Sequence, residues 1–353
     1  MIFFVLFLLL LMFSSVKIAE PNHFNQNYMS REDTSAIKGI FVILVLLGHA
    51  VTYVNTNGVF DEVYLELKSH LNQMVVAMFL FYSGFGMMKS ILNKKFDYVR
   101  RIPGKRFLPV FINFAIAVML FVLVNLLLGT TFSFSTILWS LIGWSSVGNS
   151  NWYMFVIFVL YLLMFVCFYL LRWFDKPVFF YICNTIFTVL VIGFVFWEIR
   201  MGLDTWWYNT AILLPLGCWY ALLQKPIEAV LMKNDFLYTL IGSICLTVYA
   251  ASFWQRWSGI EYYTVWAAAF TITIVILTMK FSFHSPVIMW FGDHIFSVYI
   301  LQRIPMMILS KLGIAGKDRY MFMILVIIFT ILLAIVFDFF TSKLNKKISK
   351  YVG

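Results

Sequence analysis

Lys38 and His49 are the two residues whose types and spacing first suggest chemistry. They enclose the apolar run GIFVILVLLG, and His49 follows Lys38 by eleven residues. On an α-helix this separation is close to three turns, or about 16 Å, which places both side chains on one face. A neutral imidazole can act as a general base, and an ammonium group can bind phosphate. The structural alternatives are an interhelical hydrogen bond for His49 and a snorkelling interfacial lysine for Lys38.

The elements that position these residues are predicted to be membrane helices. Hydrophobic residues make up 62% of the 353 residues, and charged residues make up only 12%, against roughly 25% in soluble domains. Long unbroken apolar runs exclude a β-barrel of short alternating segments. We predict an all-α, polytopic transmembrane helical bundle of about eleven spans. The predicted spans are 2–18, 37–57, 71–92, 107–128, 152–171, 178–197, 207–223, 236–254, 262–280, 286–309 and 320–340.

The basic residues predict the orientation of these spans. Most of the 26 lysines and arginines fall in alternate loops, which the positive-inside rule assigns to the cytoplasm. The net charge of +10 therefore indicates topology, and no nucleic acid partner is expected. We expect a multi-pass protein of the cell membrane (plasma or inner membrane), with its N-terminus outside and with membrane lipids as partners.

Domain boundaries follow from the same pattern of apolar and basic segments. We predict an extra N-terminal span with a cytoplasmic linker in 1–30, a transmembrane domain in 31–342 and a basic cytoplasmic tail in 343–353. The cysteines at 167, 183, 218 and 245 lie in separate apolar stretches and lack metal-ligand spacing. They are expected to be packing residues, with no metal site.

A basic loop near Lys38 is the strongest charged feature. Its cations could act only as the signal that keeps this loop in the cytoplasm, could contact anionic lipid headgroups, or could bind a ligand with several phosphates. The candidate ligand-binding residues here are Arg100, Arg101, Lys105 and Arg106, beside Lys94 and Lys95.

Three further groups of polar residues are less specific. Ser83 lies in a Ser-Gly-Phe-Gly turn that favours close helix packing over a nucleophilic serine. Asn151, Trp152 and Tyr153 open a later span; they would suit sugar stacking, or an interfacial aromatic belt. The sequence offers several acidic and polar candidates for the residue that orients the His49 imidazole and does not decide among them. These are Asp61, Glu62 and Glu66 on the outer side, with Asp293 and His294 in a later span.

Together these segments resemble the acyltransferase 3 family of membrane O-acyltransferases. The matching motifs are a basic residue eleven before a histidine (Lys38, His49), FLFYSGF (79–85), KRFLPVF (105–111), NWYMFVIFVLY (151–161) and FGDHIFSVYILQRIP (291–305). The sequence departs from the family pattern at Lys38, where arginine is usual, and at Gln302, where the family has histidine. The extra first span departs from the usual ten-span core.

The resemblance implies transfer of an acetyl group from acetyl-coenzyme A to a hydroxyl of a cell-surface or lipid-linked glycan. Acetyl-coenzyme A would be a co-substrate, with no permanently bound cofactor. Lys38 and the basic loop would bind its phosphates, with Ser83 along the donor path. His49 would be the catalytic residue, and Asn151, Trp152 and Tyr153 would contact the acceptor. Two alternatives are a transporter or flippase of a lipid-linked sugar, and a non-enzymatic scaffold.

Overall fold

Apolar segments become helices in this chain because a backbone in hydrocarbon has no water to bond and must pair its own polar groups. The computed structural model describes residues 1–71, 73–174 and 176–351. Asn72, in the predicted span 71–92, and residues 352–353 of the predicted tail therefore lie outside the described residues. The described residues form an α-helical bundle with one two-stranded sheet, which confirms the predicted fold class.

The helices follow most of the predicted apolar stretches. Their bounds are α1 Ile2–Phe13, α2 Arg31–Ala50, α3 Asp61–Leu71, α4 Met74–Lys94, α5 Phe96–Val99, α6 Leu108–Leu127, α7 Phe134–Leu141, α8 Trp152–Phe168, α9 Pro177–Arg200, α10 Thr205–Tyr208, α11 Leu213–Leu231, α12 Asp235–Gln255, α13 Ile260–Thr278, α14 Pro286–Asp293, α15 Ile295–Leu301, α16 Arg303–Lys311, α17 Ile314–Lys317 and α18 Arg319–Tyr351. Short 3-10 segments, Val51–Tyr53 and Tyr169–Arg172, extend α2 and α8, and a π-helical segment, Pro103–Phe107, leads into α6.

Eight helical segments of the described chain are long and apolar enough to cross a membrane. The chain is therefore a multi-pass membrane protein. These segments are Arg31–Tyr53, Asp61–Lys94, Pro103–Leu127, Trp152–Arg172, Pro177–Arg200, Asp235–Gln255, Ile260–Thr278 and Arg319–Ile348.

The first predicted span, 2–18, forms a short helix followed by a strand, and not one helix of membrane-spanning length. Helix α1 contains 12 residues, which is about 18 Å of helix against a hydrocarbon core of ~30 Å. The hydroxyls of Ser14 and Ser15 donate back to the Leu11 carbonyl, both at 3.0 Å, where α1 ends. The chain then forms strand β1 (Val16–Ile18), which pairs antiparallel with β2 (Phe281–Phe283).

The predicted span 286–309 is three short helices, α14, α15 and α16. Pro305 has no N–H and cannot donate to the Leu301 carbonyl, so the helix is interrupted between α15 and α16. Gln302 occupies this break, is fully buried and donates from Nε2 to the Tyr299 carbonyl at 2.9 Å. A hydropathy pattern does not reveal such a break, because the residues on both sides are apolar.

Helix α11 extends further along the chain than the predicted span 207–223. Its second half contains polar residues that are bonded inside the protein. Gln224 Nε2 and Tyr28 Oη donate to Glu228 Oε1 at 2.6 and 2.9 Å. These bonds allow the helix to continue beyond its apolar stretch.

Glycines bring helices α4 and α11 into backbone contact. A Cβ at Gly84 of α4 would lie 2.0 Å from the Leu214 carbonyl oxygen of α11, and a Cβ at Gly217 would lie 2.0 Å from the Phe81 carbonyl oxygen. The Ser-Gly-Phe-Gly turn thus packs closely against a neighbouring helix, as its sequence predicts. This packing fixes α4 at one side of the candidate site.

Candidate functional site

Helix α2 carries Lys38 and His49 on one unbroken helical segment. Its N-terminus begins at Ser30, whose Oγ accepts from the Asp33 N–H at 3.1 Å. This is the usual way a serine satisfies the free donors of a first helical turn. The predicted separation of about 16 Å between Lys38 and His49 therefore holds along a continuous helix.

Close contact with α14 fixes the position of α2. A Cβ at Gly39 would lie 1.9 Å from the Ile288 carbonyl oxygen, and a Cβ at Gly292 would lie 1.9 Å from the Ser35 carbonyl oxygen. Ser35 Oγ donates to Asp293 Oδ1 at 2.8 Å across the same contact. The Asp293 carboxylate also acts electrostatically on Lys38. Asp293 therefore belongs to the Lys38 end of α2, away from His49.

A cavity of about 800 Å³ opens beside Lys38, and we call it the basic cavity. Its charged lining residues are all cations, and no described carboxylate lines it. The lining cations are Arg31, Lys38, Lys89 and Arg106. Cations converging without a carboxylate suit an anionic ligand with more than one phosphate.

Ser83 and several tyrosines also line the basic cavity. Ser83 Oγ and Tyr161 Oη share a hydrogen bond of 2.9 Å. Tyr153 and Tyr299, which also line this cavity, pack with their ring centroids 5.5 Å apart. The lining thus combines cations with hydroxyls and aromatic rings, which fits a ligand that carries both anionic and less polar groups.

The predicted basic-loop residues are divided between two surfaces. Arg106 lines the basic cavity and donates from Nε to Tyr98 Oη at 3.0 Å. Arg101, Lys105 and Arg106 line an adjacent depression of about 670 Å³. Arg100 lines neither cavity; it pairs with Asp97 at 2.9 Å, and both side chains are exposed. The structure therefore brings Arg101, Lys105 and Arg106 together in the lining of this depression, and Arg100 is tied to its edge through Asp97.

His49 lines a second cavity of about 460 Å³, which we call the outer cavity. Its remaining polar and aromatic lining comes from four other elements and a loop. The principal members are Tyr64, Lys68, Gln73, Trp152, Trp206 and Tyr299. Indole and phenol rings beside polar donors suit the apolar face and the hydroxyls of a sugar.

The two cavities meet at Tyr299, the residue that lines both. Tyr299 is buried, with 5% of its surface exposed. Lys38 and His49 therefore open into different cavities although they share one helix. Tyr299 is the member of the Tyr153–Tyr299 ring pair that borders both cavities.

Trp152 and Tyr153 are adjacent in sequence but line different cavities. Trp152 lines the outer cavity with His49, and Tyr153 lines the basic cavity. Asn151 lines neither; its Nδ2 donates to the Gly143 carbonyl at 2.8 Å and so fixes the preceding loop. Of the three predicted acceptor residues, only Trp152 is placed beside His49.

No described carboxylate contacts the His49 imidazole, and its buried Nδ1 has no described hydrogen-bond partner. Three of the candidates for orienting it are engaged elsewhere. Asp61 pairs with Arg319, the exposed Glu66 lies 3.4 Å from His70, and His294 bonds to Asp338. The charged groups whose fields reach the His49 ring are Arg303 and Lys68.

Sequence reasoning missed several lining residues. Arg31 lies seven residues before Lys38 on α2, so helical periodicity could have identified it. Lys68, Trp206 and Tyr299 lie on other elements, and a single sequence gives no signal that they meet His49.

Comparison with known proteins gives one result that covers most of the chain. A family model described as an acyltransferase domain, Acyl_transf_3, matches residues 33–339. Neither the curated proteins nor the solved structures contain a match to this chain. The matched range includes every residue that lines either cavity, except Val5 of the outer cavity and five residues of the basic cavity, namely Gln26, Asn27, Met29, Ser30 and Arg31.

Proposed function

Because the chain belongs to the acyltransferase 3 family of membrane acyltransferases, we propose that it transfers an acetyl group from acetyl-coenzyme A to a hydroxyl of a cell-surface or lipid-linked glycan. The observation that carries this proposal is the pair of cavities that meet at Tyr299, one lined by cations and the other by His49. Two cavities that meet at one residue let donor and acceptor approach one point from different sides, as direct acyl transfer between two large substrates requires.

The basic cavity is the proposed donor site. Coenzyme A carries phosphates at one end and the thioester at the other, with a thin apolar arm between them. Its phosphates bind among Arg31, Lys38 and Arg106, and its arm extends along Ser83 towards Tyr153 and Tyr299. A pocket of this size is within the usual range for small ligands and cofactors, about 300–1,000 Å³.

The outer cavity is the proposed acceptor site. A sugar ring stacks on Trp152 and Trp206, and one hydroxyl donates to the His49 imidazole. His49 removes the hydroxyl proton as the oxygen forms a bond to the acyl carbon and the carbon–sulfur bond breaks. The thiolate that leaves then takes up a proton and His49 releases the one it accepted, which gives free coenzyme A and restores the neutral imidazole. General-base catalysis of this kind typically contributes about 10²–10⁴-fold to the rate.

The proposed location is the plasma or inner membrane, with the basic cavity facing the cytosol, which contains acetyl-coenzyme A. A transporter or flippase of a lipid-linked sugar is the competing function. It would bind the glycan without consuming a thioester, so consumption of acetyl-coenzyme A distinguishes the two.

The test is the consumption of acetyl-coenzyme A by purified protein in nanodiscs, with membrane glycolipid extract as acceptor. We expect thioester cleavage that depends on the extract and that falls by at least 10²-fold in His49→Ala. Donor binding should persist in this variant, because His49 does not line the basic cavity.

His70→Ala is the matched control, since His70 is on the neighbouring helix α3 and lines neither cavity. We expect it to keep wild-type activity. A protein that binds no acetyl-coenzyme A, or a His49→Ala variant with more than about a tenth of wild-type activity, would contradict the proposal.

A further inference from the structure

Two cations lie beside His49, and the acyl-transfer mechanism proposed above assigns them no role. Lys68 lines the outer cavity, and a Cβ added at Gly48, the residue before His49, would lie 4.0 Å from Lys68 Cε. Arg303 at the start of α16 is the second cation whose charge reaches the His49 ring, and its charge also reaches Tyr299. Both side chains are half-buried.

Neither cation forms an ion pair with a carboxylate among the residues that the structure describes. Arg303 donates from Nε to Ser150 Oγ at 3.1 Å, which leaves its terminal N–H groups for another partner. Partly buried cations are normally paired, because removing a charge from water without compensation is unfavourable. Of these two cations only Lys68 lines the outer cavity, and no described carboxylate lines it. Arg303 lies outside this lining, four residues after Tyr299, and its charge reaches both His49 and Tyr299.

The proposed reaction increases this imbalance. When His49 accepts the hydroxyl proton, it becomes a third cation close to Lys68 and Arg303. Like charges in a partly dehydrated cavity repel one another more strongly than in water. A negative charge supplied by the bound acceptor would offset this repulsion when the proton is transferred.

We propose that the acceptor is an anionic glycan, whose carboxylate or phosphate binds Lys68 and Arg303 while a neighbouring hydroxyl reaches His49. This inference rests on the proposed function. The Arg303 guanidinium can bind a carboxylate or phosphate through two parallel hydrogen bonds, and Lys68 contributes a point charge. Trp152 and Trp206 supply stacking surfaces for the sugar ring. The anion thus fixes which hydroxyl of the sugar faces the imidazole.

The test compares two sugars that differ in one group, methyl glucuronoside and methyl glucoside. Their binding to the protein in phosphatidylcholine nanodiscs is followed by tryptophan fluorescence, since Trp152 and Trp206 line the cavity. We expect the anionic sugar to bind at least tenfold more tightly than the neutral one. Lys68→Gln and Arg303→Gln should each remove most of this preference, so that the affinities of each variant for the two sugars become similar.

Lys311→Gln is the matched control. Lys311 is exposed at the far end of α16, the helix that begins at Arg303, and it lines neither cavity. Lys311→Gln removes the same formal charge as the two test variants. Because Lys311 lies outside both cavities, the preference for the anionic sugar should persist in this variant. The proposal would be overturned if the wild type bound the two sugars equally or did not bind the anionic sugar. It would also be overturned if Lys68→Gln and Arg303→Gln left the preference for the anionic sugar unchanged.

Two additional measurements distinguish a sugar site from a lipid headgroup site and from a failure of donor binding. Phosphatidylglycerol in the nanodisc should leave the preference intact; if it competes with the anionic sugar in a Lys68-dependent manner, the site binds lipid headgroups and the proposal is wrong. Binding of acetyl-coenzyme A is measured in parallel. Loss of donor binding would contradict the proposed function, whereas intact donor binding with no preference for the anionic sugar would contradict this inference alone.

Discussion

Tyr153 and Tyr299 pack edge to face, with ring centroids 5.5 Å apart and an interplanar angle of 64°. Tyr299 lines both cavities, and Tyr153 lines only the basic one. A donor thioester in the basic cavity and an acceptor hydroxyl in the outer cavity would have to meet at this ring pair. Tyr299 therefore borders both cavities, and Tyr153 packs against it from the basic cavity.

Replacement of Tyr299 should uncouple donor consumption from transfer. Tyr299→Ala joins the cavities, so water reaches the thioester, and we expect coenzyme A release without acceptor to rise several-fold while acetyl transfer falls. Tyr299→Phe keeps the ring contact and should remain coupled. Release of the free thiol, measured with and without acceptor, checks this.

Loss of a large buried side chain typically costs about 3–5 kcal/mol of stability. The two Tyr299 variants should therefore be compared at a temperature where both are folded, as judged by thermal unfolding in detergent. If coenzyme A release by a folded Tyr299→Ala variant still depends on the acceptor, Tyr299 does not keep water in the outer cavity from the donor thioester.

Charge at Lys38 should govern donor affinity. Lys38→Arg keeps the cation and should be tolerated, whereas Lys38→Glu repels phosphate and faces the Asp293 carboxylate. We expect the donor KM of Lys38→Glu to rise about ten- to a hundredfold, the effect of roughly 1.5–3 kcal/mol for a hydrogen bond to a charged group, with little change in kcat. Donor-saturation kinetics in nanodiscs measure both constants.

Lys176→Glu is the control for this experiment. It makes the same change in net charge, and Lys176 is exposed and lines neither cavity. An unchanged KM and kcat in Lys38→Glu would assign Lys38 to interfacial snorkelling.

Gly84 should be essential for the contact between α4 and α11. Gly84→Ala places a methyl group 2.0 Å from the Leu214 carbonyl oxygen, so one backbone must shift, and we expect a loss of about 1–3 kcal/mol of stability. Gly86→Ala meets no atom within 4 Å and should be neutral or stabilising by up to about 1 kcal/mol, since alanine favours helix. Thermal unfolding of the two variants in detergent gives the comparison. Equal unfolding temperatures would contradict the close packing.

The orientation can be tested by cysteine labelling of intact cells. Asp97 and Ser258 are both exposed, so labelling of Asp97→Cys and Ser258→Cys reports the side of the membrane rather than burial. A membrane-impermeant maleimide should label position 258 and miss position 97. Background should be low, because Cys167, Cys183 and Cys218 are buried and Cys245 is half-buried. Labelling at position 97 would reverse the predicted orientation and place the basic cavity outside.

The sequence by itself determined the class of protein and the local geometry of α2. Apolar runs of membrane-spanning length form helices wherever hydrocarbon surrounds them, and a separation of eleven residues fixes Lys38 and His49 relative to each other by helical periodicity alone. The Ser-Gly-Phe-Gly turn likewise predicts close packing, because a glycine is the residue that permits backbone contact. These are local properties, and local properties can be read from one chain.

The tertiary structure alone decided which residues share a cavity. Lys68, Trp152 and Tyr299 lie on three elements far apart in sequence, and they meet His49 only because α2, α3, α8 and α15 converge. The same convergence excludes Arg100 from both cavities and assigns Trp152 and Tyr153 to different ones. Side-chain packing between distant helices determines these relations, and hydropathy and spacing describe each helix separately.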